Sequence, residues 1–208
     1  MEQIIINAFD LVMLLCKKFN IDESHSLKHS MEVYNFALKI YESELLTNGY
    51  LEQQKDIIII SAILHDTIDK KYVSEEVGMT EIREYTKDYI SPEKLNIIFQ
   101  IITTMSYSKV KKNGFPSLNE YQLAYHIVRE ADLLAAYDID RCIMYSMYTQ
   151  NINYLLSLDR AVILFENRVL KQRTDKLFVT NFSKKFSLQL HKKAKKDIDI
   201  LIRSIKSM

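Results

Sequence analysis

The chain has 208 residues, of which 48% are hydrophobic and 26% charged, and its formal net charge is +1. These values are typical of a globular protein, and they exclude extended disorder, fibrous repeats and a surface that is basic all over. Only three glycines and two prolines are present, which argues against the many tight turns of a β-sandwich or β-barrel and favours helices.

Hydrophobic periodicity predicts helices throughout the first half of the chain. The first spans about 2–19, the second begins near Ser24, and the third spans about 52–65. The third is apolar on nearly every side, which places it at the centre of the fold. A polar stretch is followed by a short helix around 81–89. The next helix opens at Ser91-Pro92-Glu93, with serine as N-cap and proline in the first turn.

The second half begins with a lysine-rich stretch over 107–116, which we predict to be a loop. A capping box, Ser117-Leu-Asn-Glu120, opens the following helix, which continues to about Tyr137. Further helices are expected at about 140–151, 159–170 and 183–207. Because no repeat or linker interrupts the chain, we predict a single compact all-α domain over 1–208 with about eight or nine helices.

Cysteine content and apolar run length indicate a protein of a reducing compartment. Two cysteines, Cys16 and Cys142, are too few for a disulfide framework or a cysteine-rich zinc module. The longest apolar run, Ile57 to Leu64, is far shorter than the roughly 20 residues that a bilayer requires. The apolar start of the chain carries acidic residues and is followed by lysines, the reverse of a secretory signal. We therefore expect a cytoplasmic protein that does not contact a membrane.

Four polar side chains interrupt the apolar faces of these helices. His29 shares a face with the apolar stripe of the second helix, His65 and Asp66 end the third, and Asp132 follows small and apolar neighbours. A buried carboxylate costs several kcal/mol unless it is paired or bound to a cation. Taken singly, each residue also fits a satisfied core position. Together, two imidazoles and two carboxylates predict a site for one divalent ion (Mn, Fe, Co, Ni, Zn or Mg).

The order His29, His65-Asp66, Asp132 resembles the H…HD…D signature of the HD-domain superfamily of metal-dependent phosphohydrolases. The resemblance covers about residues 22–140 and includes the flanking residues His25-Ser-Leu-Lys-His29, Ala62-Ile-Leu-His65-Asp66 and Arg129-Glu-Ala-Asp132. It implies an all-helical HD domain, a catalytic divalent metal ion held by these four side chains, and hydrolysis of a phosphate ester.

Asp69 follows the HD pair by three residues, and the segment from His65 to Tyr72 is similar to an HD-x-x-D-x-K-Y subgroup. Several HD subgroups have a carboxylate there, usually glutamate, that orients or deprotonates the attacking water. The resemblance thus implies a catalytic role for Asp69, although an aspartate at a helix end is also a common surface residue.

Cations near these residues are candidates for binding the phosphate. We predict this role for Lys71, Lys109 and Arg129. The alternative is that these residues are ordinary charged side chains on the solvated surface. His25 lies four residues before His29 on the same helical face, and we expect it to bind the substrate, by lining the pocket or contacting the phosphate. His126 lies off the face of Asp132 and is interpreted as structural.

The expected function is hydrolysis of a phosphate ester of a nucleotide or another small phosphorylated metabolite. One alternative is a cyclic-nucleotide or dinucleotide phosphodiesterase on the same scaffold, which generally needs further histidine ligands. Another is a non-enzymatic binding module, in which the lysine-rich last helix recognises nucleic acid or an acidic protein partner. The apolar stripe of that helix indicates that one face packs on the body and leaves the lysines solvated. Aromatic residues are not regularly interleaved with the lysines for stacking on single strands, so nucleic acid is not the expected partner. The sequence leaves the oligomeric state open.

Overall fold

The computed structural model describes residues 1–206, and all the regular structure in that range is helical. It comprises ten α-helices, joined in four places by short 3-10 segments. The α-helices are α1 Glu2–Phe19, α2 Leu27–Leu45, α3 Lys55–Leu64, α4 Glu75–Thr86, α5 Pro92–Thr104, α6 Tyr107–Asn113, α7 Gln122–Ala135, α8 Ile139–Gln150, α9 Tyr154–Asn167 and α10 Asn181–Lys206. The predicted all-α class is confirmed, with one helix more than expected. Ser207, the predicted end of the last helix, lies outside the described residues.

Helix α3 lies at the centre of the fold, as its sequence predicts. It packs against α1, α2, α5 and α7, and every residue from Ile57 to Leu64 is buried. A helix that meets neighbours on all sides needs apolar side chains on all sides. The last turn of α3 therefore delivers the residues that follow it, His65 and Asp66, to the interior.

Residues 107–116 are not the loop that the sequence predicts, because 107–113 form helix α6. Ser106 caps this helix by accepting a hydrogen bond from the Lys109 amide at 3.4 Å, and Val110 anchors it in the core. Gly114 ends it at φ +75°, a conformation that glycine adopts without steric cost. The lysines of this stretch are thus presented on a short helix.

Several other helix boundaries differ from the prediction because of their caps. Helix α4 begins at Glu75 rather than near 81, because the Ser74 hydroxyl caps it by accepting a hydrogen bond from the Val77 amide in its first turn. Helix α9 begins at Tyr154 rather than near 159, because Asn153 caps it in the same way. It ends at Asn167, and a 3-10 turn at Val169–Lys171 takes up the rest of the predicted segment.

The predicted capping box at Ser117-Leu-Asn-Glu120 does not form. A 3-10 turn occupies Asn119–Tyr121, and α7 begins only at Gln122. The Gln122 side chain instead accepts a hydrogen bond from the Leu118 amide at 3.0 Å, which satisfies a backbone donor just before the helix.

Helix α4 packs tightly on the turn that follows the HD pair. A Cβ atom at Gly78 would lie 2.5 Å from the Cγ2 atom of Ile68. Glycine in a helix interior costs about 1 kcal/mol relative to alanine, and here it permits this close approach. The turn after Asp66 is thereby fixed between α3 and α4.

The long helix α10 packs on α2, α7 and α8. Ala194 and Ile198 lie buried in this contact, whereas most of its lysines are exposed. The apolar stripe in the sequence therefore covers the body of the protein, as predicted. No helix within residues 1–206 combines the length and apolar character needed to span a membrane.

Candidate metal centre

Two imidazoles and a carboxylate converge where α2 meets the end of α3. The Nε2 atoms of His29 and His65 are 3.1 Å apart, and the Oδ2 atom of Asp66 lies 3.3 Å from each of them. Both imidazole side chains are 1% exposed. One ligand atom from each residue lies within 4.8 Å of the others, so this cluster could hold a metal ion.

Asp132 reaches the same point from α7, which packs on both α2 and α3. Its Oδ1 atom lies 3.4 Å from His29 Nε2 and 3.8 Å from His65 Nε2. The Asp66 and Asp132 side chains are 18% and 21% exposed. The structure thus brings together all four predicted ligands, with the imidazoles enclosed and the carboxylates on the open side.

The His65 ring is oriented by the helix that it ends. Its Nδ1 atom lies 2.9 Å from the Ala62 carbonyl oxygen, so the Nδ1–H group donates to that oxygen. This leaves Nε2 directed at the cluster with a free lone pair when the ring is neutral. A ring nitrogen fixed by a backbone carbonyl is the usual arrangement behind a metal-binding histidine.

The charges of the cluster depend strongly on one another. Burial opposes the ionisation of Asp66, but the positive charge of His65 and the close contacts with both imidazoles outweigh it and hold the pKa of Asp66 well below its usual range. Burial also lowers the pKa of His65, but Asp66 and Asp132 outweigh this effect and raise the pKa to about 8. Without a cation, the carboxylates are therefore stabilised by a protonated imidazole, whose place a metal ion can take.

Arg141, which the sequence did not indicate, lies beside the two carboxylates. Its guanidinium is 3.6 Å from Asp66 Oδ2 and 3.9 Å from Asp132 Oδ1. The Nε–H group donates to the carbonyl oxygen of Ser24 at 2.6 Å, which ties α8 to the segment before α2. Nothing in the sequence distinguishes this arginine from the other basic residues, because its partners come from distant parts of the chain.

His25 and Lys71 belong to a second polar network next to the cluster. The Nδ1 atom of His25 is 2.7 Å from Ser24 Oγ, and its Nε2 atom is 3.3 Å from the ammonium of Lys71. Ser24 and Tyr72 both donate hydrogen bonds to Asp22. Burial opposes the ionisation of Asp22, but contacts with His25, Ser24 and Tyr72 outweigh it and hold its pKa well below the usual range. The His25 and His29 ring centroids are 6.5 Å apart.

A cleft of about 320 Å³ opens beside the cluster, and most of the predicted site residues line it. Asp69 Oδ1 accepts a hydrogen bond from the Lys71 amide at 3.0 Å, and its Oδ2 atom is 3.4 Å from the Lys71 ammonium. The Lys109 ammonium lies 2.7 Å from Glu75 and 2.5 Å from the Thr103 carbonyl oxygen. The predicted residues along the cleft are His65, Asp66, Asp69, Lys71, Lys109 and Asp132. His25, expected to line the pocket, instead contacts the cleft residue Lys71 from outside this lining.

Arg129 does not take part in this site, which corrects its prediction as a substrate ligand. It is 1% exposed, and its guanidinium donates to the Leu177 carbonyl oxygen at 2.6 Å and to Glu130 at 3.1 Å. The ring of Phe115 covers it at 4.7 Å. The side chain of Arg129 points to the side of α7 that the segment around Leu177 covers, and this segment encloses the guanidinium.

His126, interpreted as structural, lies in the same region as Arg129 and makes the stability of the fold depend on pH. Burial and the charge of Arg129 lower the pKa of His126 to about 4. An unfolded chain binds this proton at about pH 6.5. Neutral His126 therefore contributes fully to the free energy of unfolding above pH 6.5. This contribution is lost as pH falls toward 4, which lowers the free energy of unfolding by up to about 3 kcal/mol.

We expect this loss to be measurable in urea unfolding experiments between pH 7.5 and 4. The His126→Gln variant, which cannot titrate, should show a flatter dependence on pH than the wild type. Parallel curves for the two proteins would contradict the assignment.

Comparisons with known proteins bear on the fold. No family model and no curated protein matches the chain. A crystal structure of a protein from Lactobacillus plantarum, a Northeast Structural Genomics target, is similar with a TM-score of 0.71 and 17% sequence identity. The match covers 100% of this chain and 99% of that chain. At this identity the likeness shows a shared fold, a compact all-helical arrangement that extends over the whole length.

Proposed function

We propose that the chain is an HD-type, metal-dependent phosphohydrolase that acts on a phosphate ester of a nucleotide or another small phosphorylated metabolite. One observation carries the proposal. His29, the adjacent pair His65-Asp66, and Asp132 come from three distant segments of the sequence and meet within hydrogen-bonding and ion-pair distances beside an open cleft. The two free cysteines fit a reducing compartment, so we place the activity in the cytoplasm.

The donor set fits one divalent metal ion. Asp66 Oδ2 is buried and has no hydrogen-bond partner within residues 1–206, while both imidazoles direct Nε2 toward it. Two nitrogen and two oxygen donors suit Mn, Fe, Co, Ni or Zn, and Mg is a further candidate through the carboxylates. When bound, such an ion lowers the pKa of a bound water and polarises a phosphoryl oxygen.

The remaining chemistry belongs to side chains of the cleft. We assign Asp69 the positioning and deprotonation of the attacking water, because its carboxylate lines the cleft, is not a proposed ligand and follows Asp66 within the same turn. Glu75, the other non-ligand carboxylate of the cleft, is paired with Lys109. Lys71, held between His25 and Asp69, and Lys109, held by Glu75, supply positive charge along the cleft. These roles match general acid–base and electrostatic catalysis.

The geometry favours a small monoester over a cyclic nucleotide or dinucleotide. A cleft of about 320 Å³ is at the lower end of the range of ligand pockets, about 300–1,000 Å³. His25, a candidate for a further ligand, is engaged by Ser24 and Lys71 at its two ring nitrogens. His126 does not line the cleft. The set of donors thus supports a single metal ion.

The alternative of a nucleic-acid-binding module has less support. In α10, Phe182 and Phe186 stack on each other against the core, so they are not presented among the lysines as stacking platforms. Lys193 is paired with Asp197 on the same helix. We expect no salt-dependent binding to single- or double-stranded DNA, as measured by fluorescence anisotropy.

The proposal is tested by screening hydrolysis with protein loaded separately with Mn, Co, Ni, Zn and Mg, as phosphate release from monoesters and as chromatography of the products of diesters. We expect release from nucleoside monophosphates or other small monoesters, its loss in EDTA, and at least about ten-fold slower turnover of diesters. Asp69→Asn should keep the metal and lose about 10²- to 10⁴-fold in kcat. A metal-loaded protein that hydrolyses no phosphate ester would contradict the proposal.

A further inference from the structure

The cations around the cleft differ in whether a carboxylate neutralises them. Lys109 pairs with Glu75 at 2.7 Å, and Lys70 lies 3.7 Å from the same carboxylate. Lys71 lies 3.4 Å from Asp69. Arg141, behind the cluster, faces both Asp66 and Asp132. Each of these charges is therefore partly cancelled before a substrate arrives.

Arg168, at the end of α9, is the exception. It lines the cleft and is exposed, and within residues 1–206 no carboxylate lies at ion-pair distance from its guanidinium. Its guanidinium carbon lies 4.4 Å above the centre of the Tyr107 ring. A cation–π contact of this kind holds the guanidinium in place without using its N–H donors.

The backbone on both sides of Arg168 is also fixed. Its amide donates to the Leu164 carbonyl oxygen at 2.9 Å, and its own carbonyl accepts from the Lys171 amide at 3.2 Å. Tyr107 begins helix α6 on the opposite side of the contact. Arg168 is thus a positioned cation with free hydrogen-bond donors, next to a cleft whose other cations are engaged.

We propose that Arg168, held by Tyr107, binds the phosphate group of the substrate. This inference rests on the proposed function and adds a residue that the H…HD…D resemblance does not supply. A planar guanidinium offers two parallel N–H groups that match two oxygens of a phosphate group, and it attracts the two negative charges of a monoester dianion more strongly than the single charge of a diester. Since Asp66, Asp69, Glu75 and Asp132 all line the cleft, an unpaired cation is needed to attract an anion.

The test measures the binding of inorganic phosphate to Mn-loaded protein by isothermal titration calorimetry. We expect Arg168→Gln to weaken phosphate binding at least about ten-fold, as loss of a charged hydrogen bond does. Arg168→Lys should recover only part of it, because the charge remains while the fork is lost. The matched control is Arg160→Gln, which removes an exposed arginine of α9, the helix that Arg168 follows, outside the cleft and should leave binding unchanged.

The outcomes separate this inference from the proposed function. Phosphate binding that depends on Arg168, in a protein that hydrolyses no ester, supports the anion site and contradicts the hydrolase. Hydrolysis that is unaffected by Arg168→Gln, with a phosphate Kd within two-fold of wild type, overturns the role of Arg168 and leaves the hydrolase standing. Absence of phosphate binding by the wild type at millimolar concentrations also overturns the anion site.

Discussion

Replacement of Asp66 by asparagine is expected to abolish both metal binding and phosphate ester hydrolysis. Asp66 Oδ2 is the atom that approaches both Nε2 atoms of the cluster, at 3.3 Å from each. An asparagine of the same shape has neither the negative charge nor the second anionic oxygen that balance a divalent ion. Loss of an outer-shell partner already costs about 10- to 100-fold in metal affinity. We therefore expect loss of a direct ligand to exceed 100-fold.

The measurement combines metal analysis of the purified variant by mass spectrometry with metal titration of the apoprotein. Asp159→Asn, at an exposed position on α9, is the matched control and should behave as the wild type. Circular dichroism of both variants verifies that the helices remain. A variant at Asp66 that binds the ion with wild-type affinity would remove the basis of the proposed metal centre.

Replacement of Glu130 by alanine is expected to lower the free energy of unfolding by about 3–5 kcal/mol, the usual cost of leaving one member of a buried ion pair alone. Glu130 is fully buried and accepts a hydrogen bond from the Arg129 guanidinium at 3.1 Å. It also accepts from the Val179 amide at 2.6 Å and from the Thr180 hydroxyl at 2.6 Å. The substitution removes all of these acceptors and leaves the charge of Arg129 enclosed.

Urea unfolding of Glu130→Ala provides the measurement, and Glu166→Ala, at an exposed position on α9, should change stability by less than about 0.5 kcal/mol. The double variant Arg129→Met/Glu130→Leu should regain part of the loss, because both charges leave the interior together. A destabilisation by Glu130→Ala below 1 kcal/mol would show that the pair is not a main support of the fold. Metal content should not change, since the pair does not line the cleft.

The four candidate ligands could be found from the sequence because each is polar where the helix pattern requires an apolar residue. His29 faces the core side of α2, and His65 with Asp66 follows the most enclosed helix of the molecule. Asp132 lies among apolar residues of α7. The spacing of apolar residues along the sequence shows which face of each helix is buried. Polar side chains on those faces come together when the helices pack against one another.

Other parts of the site were not predictable in this way. Arg141 lies on α8 and Arg168 directly follows α9, and only packing brings Arg141 to the cluster and Arg168 to the cleft. Arg129 was assigned wrongly because a long side chain has several directions open to it, and spacing alone does not choose between them. Helix α6 was missed because a single serine cap and one buried valine decide its formation.

Two proposed ligands, His65 and Asp66, directly follow α3, so binding of an ion there would be coupled to the stability of the fold. An ion that binds only the native state adds to the free energy that separates native from unfolded molecules, by an amount that grows with its free concentration. Because α3 is the innermost helix, this contribution reaches the whole chain rather than a peripheral segment. If the proposed ion binds in cells, its scarcity would therefore leave more chains open to proteolysis, and the abundance of the protein would fall.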